Sequence, residues 1–340
     1  MGEDQFKKIN RERYKGMIDE TYSDPITWKI FIIFFNFFIF LLFPKKKASL
    51  ELIDDLRKEV SSDKKINYTN SQSYNDWIKH ANRTREMVVK RDPSLFLRWY
   101  PIRSTMNTSN SKFLLTELKE LKKSEKWNNL WRDFIKEPFI GGQIPFIFDF
   151  STSGNTIHLT YIIDKFWEKT DKNPSDFDYI FEFGGGYGNL CRLIHKIGFN
   201  GKYIIFDIPI FSSLQKFYLK LSGLPVFDNG EIKNKKSGIF CVKNVEEAAK
   251  TLEETASDNP MRNLFIATWS ISEAPLYIRE RFYRFIKNFD YFMMAYQDRF
   301  GEINNKDYFK GFKKLNPEIV WYDWPLKHLP AHNLLIGKKK

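Results

Sequence analysis

The stretch from Asp178 to Pro209 constrains the fold of this chain more than any other part of its 340 residues. It begins with a short apolar run, Tyr179 to Phe183, and ends with a second one, Tyr203 to Phe206. Between them lie three alternating glycines and then apolar residues at helical spacing: Gly184, Gly186 and Gly188, followed by Leu190, Leu193, Ile194 and Ile197. The order of strand, glycine turn, helix and strand predicts a β-α-β unit of a parallel sheet.

The spacing of these glycines and two nearby acids indicate the ligand. Backbone without a Cβ lets a ligand approach closely, and the helix that follows offers N–H groups at its first turn. Asp207 ends the second strand, 19 residues after Gly188, where a carboxylate can accept both hydroxyls of a ribose. A dinucleotide site needs G-x-G-x-x-G, whereas this turn has G-x-G-x-G preceded by Glu182. That version favours S-adenosylmethionine, which has no pyrophosphate and whose amino-acid end a carboxylate can face; a turn without a ligand is the alternative.

The amino-acid composition of the chain limits the classes of partner and metal that we expect it to bind. The formal net charge of +12 is compatible with nucleic acid, an anionic membrane, an acidic glycan or a solvated basic surface. Since the sequence has neither an RNA-binding signature nor zinc-finger spacing, we expect no nucleic-acid partner. Its two cysteines, Cys191 and Cys241, are too few for a zinc site and are typical of a reducing compartment. We therefore expect no metal, and a homo-oligomer stays open.

An apolar segment near the N-terminus indicates a membrane contact. Residues 30–43 are apolar except for Asn36, and as a helix they would span roughly 21 Å, less than the ~30 Å hydrocarbon core of a bilayer. Trp28 and the lysines at 45–47 are suited to the membrane interface. We predict that residues 28–47 form a monotopic or re-entrant anchor; a short transmembrane helix and a buried packing helix are the alternatives.

The remaining chain divides at about residue 150. After an arm and anchor at 1–47, residues 48–150 combine a linker with helical patterns that end near Pro138, and they predict a helical subdomain. Residues 151–340 alternate strands with helices and predict an α/β domain that binds the ligand.

Ligands of parallel sheets bind at the carboxyl ends of the strands. The predicted strands are 179–183, 203–206, 238–242, 263–268 and 291–296, with a final pair at 318–322 and 333–337. Their carboxyl ends bring five segments to one rim: 184–188, Asp207, 241–244, 269–273 and 297–298. A polar loop before the first strand ends at Asn155, which can cap the next helix, and His158 lies in the first turn of that helix.

Bacterial sugar O-methyltransferases, which are class I S-adenosylmethionine-dependent methyltransferases, resemble this chain in four segments: EFGGGYGNLCRLIHKIGFNGKYIIFDIP, FLRWYPIRSTM, STSGNTIHLTY and TWSISEAP. The resemblance extends over residues 71–340. It implies a Rossmann-like α/β fold with a seven-stranded, mostly parallel sheet and a reversed last strand. It further implies methylation of a sugar hydroxyl of a surface-glycan precursor, either a nucleotide sugar or a lipid-linked glycan.

The same resemblance implies roles for individual residues. Eight of them would bind S-adenosylmethionine: Glu182, Gly184, Gly186, Gly188, Asp207, Asn244, Trp269 and Ser270. The glycine turn and its acid would hold the amino-acid end, Asp207 the ribose, and Asn244 would lie near the adenine. Trp269 and Ser270 would face the donor or the acceptor.

Methyl transfer to a sugar hydroxyl needs an aligned acceptor and a base that takes its proton. His158 is the first candidate for this base and Glu273 the second, although a helix N-terminus also favours a carboxylate at Glu273. Asp298 with Glu273 is weak evidence for a divalent metal. Since S-adenosylmethionine is a cytosolic metabolite, we expect the domain at the cytoplasmic face of the inner membrane. A nicotinamide-dependent oxidoreductase of Rossmann type and a non-catalytic membrane-tethered scaffold are the alternatives.

Overall fold

A computed structural model describes residues 34–35, 47–63, 71–106, 108, 110–256 and 262–340. The predicted anchor at 28–47 lies outside the described residues, apart from positions 34, 35 and 47. None of the helices within these ranges combines the length and apolarity that crossing a membrane requires. The anchor therefore stays a prediction from the sequence.

Helices dominate the chain before residue 145 and cover the sheet after it. They are α1 (Leu50–Ser62), α2 (Gln72–Lys90), α3 (Tyr100–Arg103), α4 (Phe113–Lys123), α5 (Arg132–Phe134), α6 (Gly154–Thr170), α7 (Asn189–Lys196), α8 (Pro209–Leu221), α9 (Val245–Ala256), α10 (Ser270–Glu273), α11 (Leu276–Ile286) and α12 (Asn305–Leu315). Ser49 and Ser71 begin α1 and α2, since each hydroxyl accepts the backbone N–H three residues further on.

The helix that carries His158 begins differently from the prediction. The cap that the sequence analysis assigns to Asn155 is wrong, because the Ser153 hydroxyl accepts the Thr156 N–H at 3.2 Å and begins α6. Asn155 lies inside the helix, and its amide donates to the Tyr187 hydroxyl at 2.7 Å. A contact with the glycine turn, rather than local capping, therefore sets the orientation of Asn155.

An eight-stranded sheet forms the centre of the described residues. Its strands are β3 (Tyr179–Phe183), β4 (Lys202–Phe206), β5 (Val226–Phe227), β6 (Gly238–Val242), β7 (Asn263–Thr268), β8 (Tyr291–Gln297), β11 (Ile319–Pro325) and β12 (His332–Lys339); the pairs β1 (Pro145–Phe146) with β2 (Asp149–Ser153) and β9 (Arg299–Phe300) with β10 (Ile303–Asn304) lie outside it.

The strand order is β11-β12-β8-β7-β3-β4-β6-β5, and β12 alone runs opposite to the others. This is the Rossmann-like methyltransferase topology, and it confirms the predicted fold class with its reversed last strand. The prediction of seven strands missed the edge strand β5, whose two residues pair with β6 and are too few to leave a pattern in the sequence.

Both faces of the sheet are covered at its centre, so the central strands are buried along almost their whole length instead of alternating between buried and exposed residues. One face packs on α6, α7, α8 and the N-terminal helices, and the other packs on α9, α11 and α12. Successive residues of β3 point to opposite faces, so Ile180 belongs to the first layer and Phe181 to the second. Each of these fully buried side chains contributes about 1.5–3 kcal/mol to stability.

The glycine turn lies where the strand order reverses. The chain adds β4 and β6 on one side of β3, and β7 and β8 on the other, and parallel sheets bind ligands in the crevice at such a point. Gly184 leaves β3 with φ +73°, and its N–H donates to the Phe206 carbonyl at 2.7 Å. A Cβ at Gly184 would lie 2.3 Å from the Cβ of Ser270. Glycine is therefore required by the packing of the turn on Ser270, the second residue after β7.

Gly184→Ala should destabilise the protein far more than Gly223→Ala. The two glycines have nearly the same φ, +73° and +79°, but a Cβ at Gly223 would meet nothing within 4 Å. Both variants thus carry a left-handed strain of about 1–2 kcal/mol, and only Gly184→Ala adds an overlap of about 1–3 kcal/mol. Urea unfolding measures the difference.

A second substitution tests the cause of that difference. Ser270→Gly removes the atoms that the new Cβ would meet first, and the next atom, the Ser270 Cα, lies at 3.6 Å. Ser270→Gly alone also removes the hydrogen bond to the Phe183 carbonyl, so it is the reference: adding Gly184→Ala to it should lower the free energy of unfolding no more than Gly223→Ala lowers that of the wild type. Equal losses for Gly184→Ala and Gly223→Ala would show that the contact with Ser270 does not matter.

Candidate functional site

One cavity of about 900 Å³ opens at the carboxyl ends of the central strands. Nine of the ten residues that the sequence analysis selects line it: His158, Glu182, Gly184, Gly186, Asp207, Asn244, Trp269, Ser270 and Glu273. Gly188 does not, since it has φ +92° and a Cβ there would lie 3.2 Å from Leu219. Gly188 therefore serves the packing of α7 on α8.

Asp207 lies against the glycine turn at the end of β4. Its carboxylate accepts the Ile208 N–H and the Gln215 amide, each at 2.8 Å, and also the N–H groups of Gly185 and Gly186. Burial raises the pKa of Asp207 to about 7, although these donors lower it. Gln215 also donates to the Gly186 carbonyl at 3.0 Å. The sequence analysis missed Gln215, which lies one helix away from the motif and shows no local pattern.

Glu182 is buried beneath the same turn. The Tyr203 hydroxyl donates to its Oε2 at 2.9 Å. Burial, together with the negative charge of Asp207, raises the pKa of Glu182 to about 8, although the hydrogen bond from Tyr203 lowers it. A Cβ at Gly185 would lie 3.1 Å from this carboxylate and 2.5 Å from Ile205. Gly185, which the sequence analysis did not select, is thus required by packing on β3 and β4.

Trp269 and Ser270, the two residues after β7, make different contacts. The Ser270 hydroxyl donates to the Phe183 carbonyl, so it supports the glycine turn while one side of the residue faces the cavity. Trp269 has the left-handed φ of +65°, a conformation that costs a bulky residue energy and is found where the surroundings enforce it. Its indole donates to His332 Nδ1 at 2.7 Å, and its ring stacks on His158 at 4.9 Å.

His158 is held by a carboxylate from the helical region. Its Nδ1 lies 2.9 Å from both carboxylate oxygens of Glu117, which is fully buried on α4. Burial raises the pKa of the Glu117 carboxyl, but the charge of His158 and the hydrogen bonds from His158 and His328 outweigh burial and leave it below its ordinary value. With Nδ1 engaged, Nε2 is the nitrogen left for the cavity.

The sequence analysis missed Glu117, but a signal was present. Phe113, Leu114, Leu118 and Leu121 form the buried stripe of α4, and Glu117 lies in the middle of that stripe. A carboxylate on an apolar helix face is rare unless it is paired, so the pattern alone predicts a buried partner for it.

Glu273 is fixed by hydrogen bonds at both oxygens. The Trp77 indole donates to Oε2 and the Gln297 amide to Oε1, each at 3.1 Å. Burial raises the pKa of Glu273 to about 7, and these donors lower it. Trp77 belongs to α2, so the helical region reaches the sheet here as well.

Two further predictions concern Asn244 and Asp298. Asn244 lines the cavity, and its side chain accepts the Glu247 N–H at 2.7 Å, which caps α9. Asp298 pairs with Lys306 and Asn333, each at 2.7 Å, instead of joining Glu273. Within the described ranges, no three metal-ligating side chains cluster.

The chain is similar in structure to class I S-adenosylmethionine-dependent methyltransferases. Magnesium protoporphyrin IX methyltransferase of Synechocystis PCC 6803, solved with bound SAM, is 12% identical over 68% of this chain and 100% of that one, with a TM-score of 0.37. PigF, solved with SAH, is 14% identical over 85% and 94%, with a TM-score of 0.35. The methyltransferase domain of bacterial CtHen1 is 13% identical over 53% and 97%, with a TM-score of 0.37.

These likenesses are too weak to bear on activity, and the fold assignment rests on the order and direction of the strands. No protein-family model matches the sequence, and no curated protein matches it significantly.

Glu182→Gln should make the protein more stable at high pH than the wild type. The Glu182 carboxyl has a pKa of about 8 in the folded protein and of about 4.3 in the unfolded chain, so between these pH values the folded state binds more protons. The contribution of this carboxyl to the free energy of unfolding is therefore fully present below pH 4 and is lost as the pH rises to 8. The neutral amide does not titrate. Between pH 5 and pH 8 the stability of the variant relative to wild type should rise by about 2–4 kcal/mol, as urea unfolding measures it.

The exposed Glu302 provides the control for this experiment. Glu302→Gln should leave the pH dependence of unfolding as it is in the wild type. If Glu182→Gln does the same, the buried carboxyl does not carry a raised pKa.

Proposed function

We propose that this chain is an S-adenosylmethionine-dependent O-methyltransferase that methylates a sugar hydroxyl of a surface-glycan precursor. The observation that carries the proposal is a single cavity shared by two sets of groups. One set is the glycine turn with Asp207 at the reversal of the strand order, and the other is His158 with its carboxylate Glu117. The first is suited to a nucleoside with an amino-acid tail, and the second to removing a proton.

The residues of the cavity fit this methyl donor. Asp207 presents a carboxylate where a ribose can be held, and Glu182 lies on the other side of the turn, where an ammonium can be paired. A Cβ at Gly186 would lie 3.7 Å from Met106 and touch nothing closer, so a ligand can approach the backbone here. A volume of about 900 Å³ is near the upper end of ligand sites. S-adenosylmethionine, when bound, would supply an electrophilic methyl group: the acceptor oxygen would form the new C–O bond as the S–CH₃ bond breaks, and the sulfur would keep that bonding pair as a neutral thioether.

His158 is the base in this proposal. Glu117 holds Nδ1, which directs Nε2 towards the cavity, and the buried carboxylate stabilises the imidazolium that forms when Nε2 takes the hydroxyl proton. Glu273 is the alternative base, since a pKa of about 7 suits proton transfer at neutral pH. Its oxygens already accept hydrogen bonds from Trp77 and Gln297, which favours a role in positioning the acceptor.

The sugar acceptor is supported by the place of the family-like segments. Of FLRWYPIRSTM, residues 103–106 line the cavity; STSGNTIHLTY contributes Asn155 and His158; TWSISEAP contributes residues 268–270, Glu273 and Ala274. The resemblance is therefore concentrated at the reaction site and not only in the glycine motif.

The membrane part of the proposal rests on residues 28–47 and on one described contact. Phe148 and Phe150 of the β1–β2 hairpin are more than half exposed, and the ring of Phe35 stacks on Phe150 at 5.8 Å. Exposed aromatic side chains beside Phe35 support attachment to a membrane, and the cytosolic origin of S-adenosylmethionine favours its cytoplasmic face, where a lipid-linked or nucleotide-linked sugar is available.

Asp207→Asn should weaken the binding of S-adenosylmethionine at least tenfold, because hydrogen bonds to a charged acceptor contribute about 1.5–3 kcal/mol. In the wild type the affinity should rise between pH 6 and pH 8, since a cationic ligand favours the ionised forms of Asp207 and Glu182, whose pKa values lie at about 7 and 8. The variant should show a smaller rise. Calorimetry of the full-length protein in two buffers of different ionisation enthalpy measures the affinity and the protons released.

The same titration separates the alternatives. Binding of NAD in place of S-adenosylmethionine would favour the oxidoreductase, and binding of neither to the folded protein would favour the scaffold.

His158→Asn should lower kcat by about 10²–10⁴ and leave the Kd for S-adenosylmethionine unchanged. Glu117→Gln should lower kcat by at least tenfold, with the same unchanged Kd. His328→Gln is the matched control, because His328 also bonds Glu117, at 3.0 Å, but does not line the cavity; its kcat should stay near wild type. Transfer of a labelled methyl group to a panel of nucleotide sugars measures these rates. If Glu273→Gln abolishes transfer while His158→Asn retains it, the base is Glu273.

A further inference from the structure

A second cleft lies beside the main cavity, between α2 and α3. Its volume is about 430 Å³, and its lining is strongly basic: Arg83, Lys90, Arg91, Arg98 and Arg103, with Glu86, Met87, Trp99 and Tyr100. Glu86 is the only acidic residue among these nine described ones. The cleft therefore carries a large excess of positive charge.

Four of the five cations of the cleft have no carboxylate partner among the described residues. Across the described ranges, no carboxylate lies within ion-pair distance of Arg83, Lys90, Arg91 or Arg103, whereas Arg192 and Arg281 pair with Glu137 and Glu246. Arg83 and Lys90 lie two turns apart on α2, and Arg91 is the C-cap residue of that helix. All three line the cleft; like charges gathered around one cleft repel each other, and an anion bound between them removes that repulsion.

Two residues give the cleft a fixed shape. Arg98 Nε donates to the Gly142 carbonyl at 2.9 Å, which holds its half-buried guanidinium in place. The Arg83 guanidinium lies over the ring of Tyr100 at 5.4 Å. Guanidinium groups held in this way can bind phosphate oxygens in pairs at a lower cost in side-chain freedom.

Arg103 connects the cleft to the reaction site, since it lines both cavities. It ends α3, and Ser104, Thr105 and Met106, which follow it, continue the wall of the main cavity. A substrate that spans this wall would place one end near His158 and the other among the arginines.

We propose that the cleft binds the diphosphate of a glycosyl diphosphate whose sugar enters the main cavity. The inference rests on the proposed function and names the substrate class for it. Several cations line the cleft, which suits the several negative charges of a diphosphate. A ligand with a single carboxylate would need only one arginine. The same group occurs in nucleotide sugars and in lipid-linked sugars.

Calorimetric titration of the full-length protein with inorganic pyrophosphate tests the cleft. The variant Arg83→Gln with Arg91→Gln removes two exposed charges of the cleft, and Lys310→Gln with Lys314→Gln removes two exposed charges of α12. In the first double variant, called the cleft pair, the Kd for pyrophosphate should be at least tenfold higher than in the wild type. In the second, called the control pair, this Kd should stay within twofold of the wild-type value. Both should retain the wild-type Kd for S-adenosylmethionine and the wild-type Tm. If the cleft pair melts early, the single variant Lys90→Gln, also exposed, takes its place with an expected loss of at least threefold.

Two further probes identify the source of the diphosphate. Tighter binding of UDP-glucose than of farnesyl diphosphate indicates a nucleotide sugar, and the reverse order indicates a lipid-linked sugar. Equal weakening in the cleft and control pairs would overturn the cleft as a site, because the effect would then be that of net charge. Failure to bind pyrophosphate in a protein that binds S-adenosylmethionine would also overturn it and leave the proposed function standing. Failure to bind S-adenosylmethionine is the separate failure of the proposed function.

Discussion

The site depends on how the turn after β3 is bonded to the ends of both neighbouring strands. On one side, the N–H of Gly184 donates to Phe206 and the next two N–H groups face Asp207 at the end of β4. On the other side, Ser270 after β7 donates to the Phe183 carbonyl. Because backbone groups on the turn are satisfied from two strands, its position follows from the strand register. The side chains at the rim are therefore placed by the sheet and not by a flexible loop.

Side chains of the helical region contact residues that line the cavity. Glu117 on α4 holds His158, Trp77 on α2 holds Glu273, and Arg103 on α3 lines both the cavity and the basic cleft. Farther from the reaction site, Glu59 of α1 pairs with Lys243 after β6 at 2.7 Å. The sheet places residues at the rim of the cavity, and the helices hold two side chains of the cavity, His158 and Glu273, in position.

The sequence predicts those parts of the molecule whose structure is determined by residues close together in the chain. Strand runs, the glycine spacing and the acid at Asp207 all leave a pattern within about 30 residues, and they led to the correct topology and to the lining of the cavity. Glu117 and Gln215 act through contacts with residues 41 and 8 positions away, and no local rule links either to its partner. Asn155 shows the same limit, because a favourable cap position lost to a tertiary hydrogen bond with Tyr187.

The order of the strands also sets the order in which the sheet can be completed. β11 precedes β12 in the sequence, yet among the described residues it pairs only with β12, and β12 pairs with β8. β11 therefore joins the sheet only once the later strand has inserted. His332, whose Nδ1 accepts the indole N–H of Trp269, begins that later strand, so this wall of the cavity is complete only after β12 is in place.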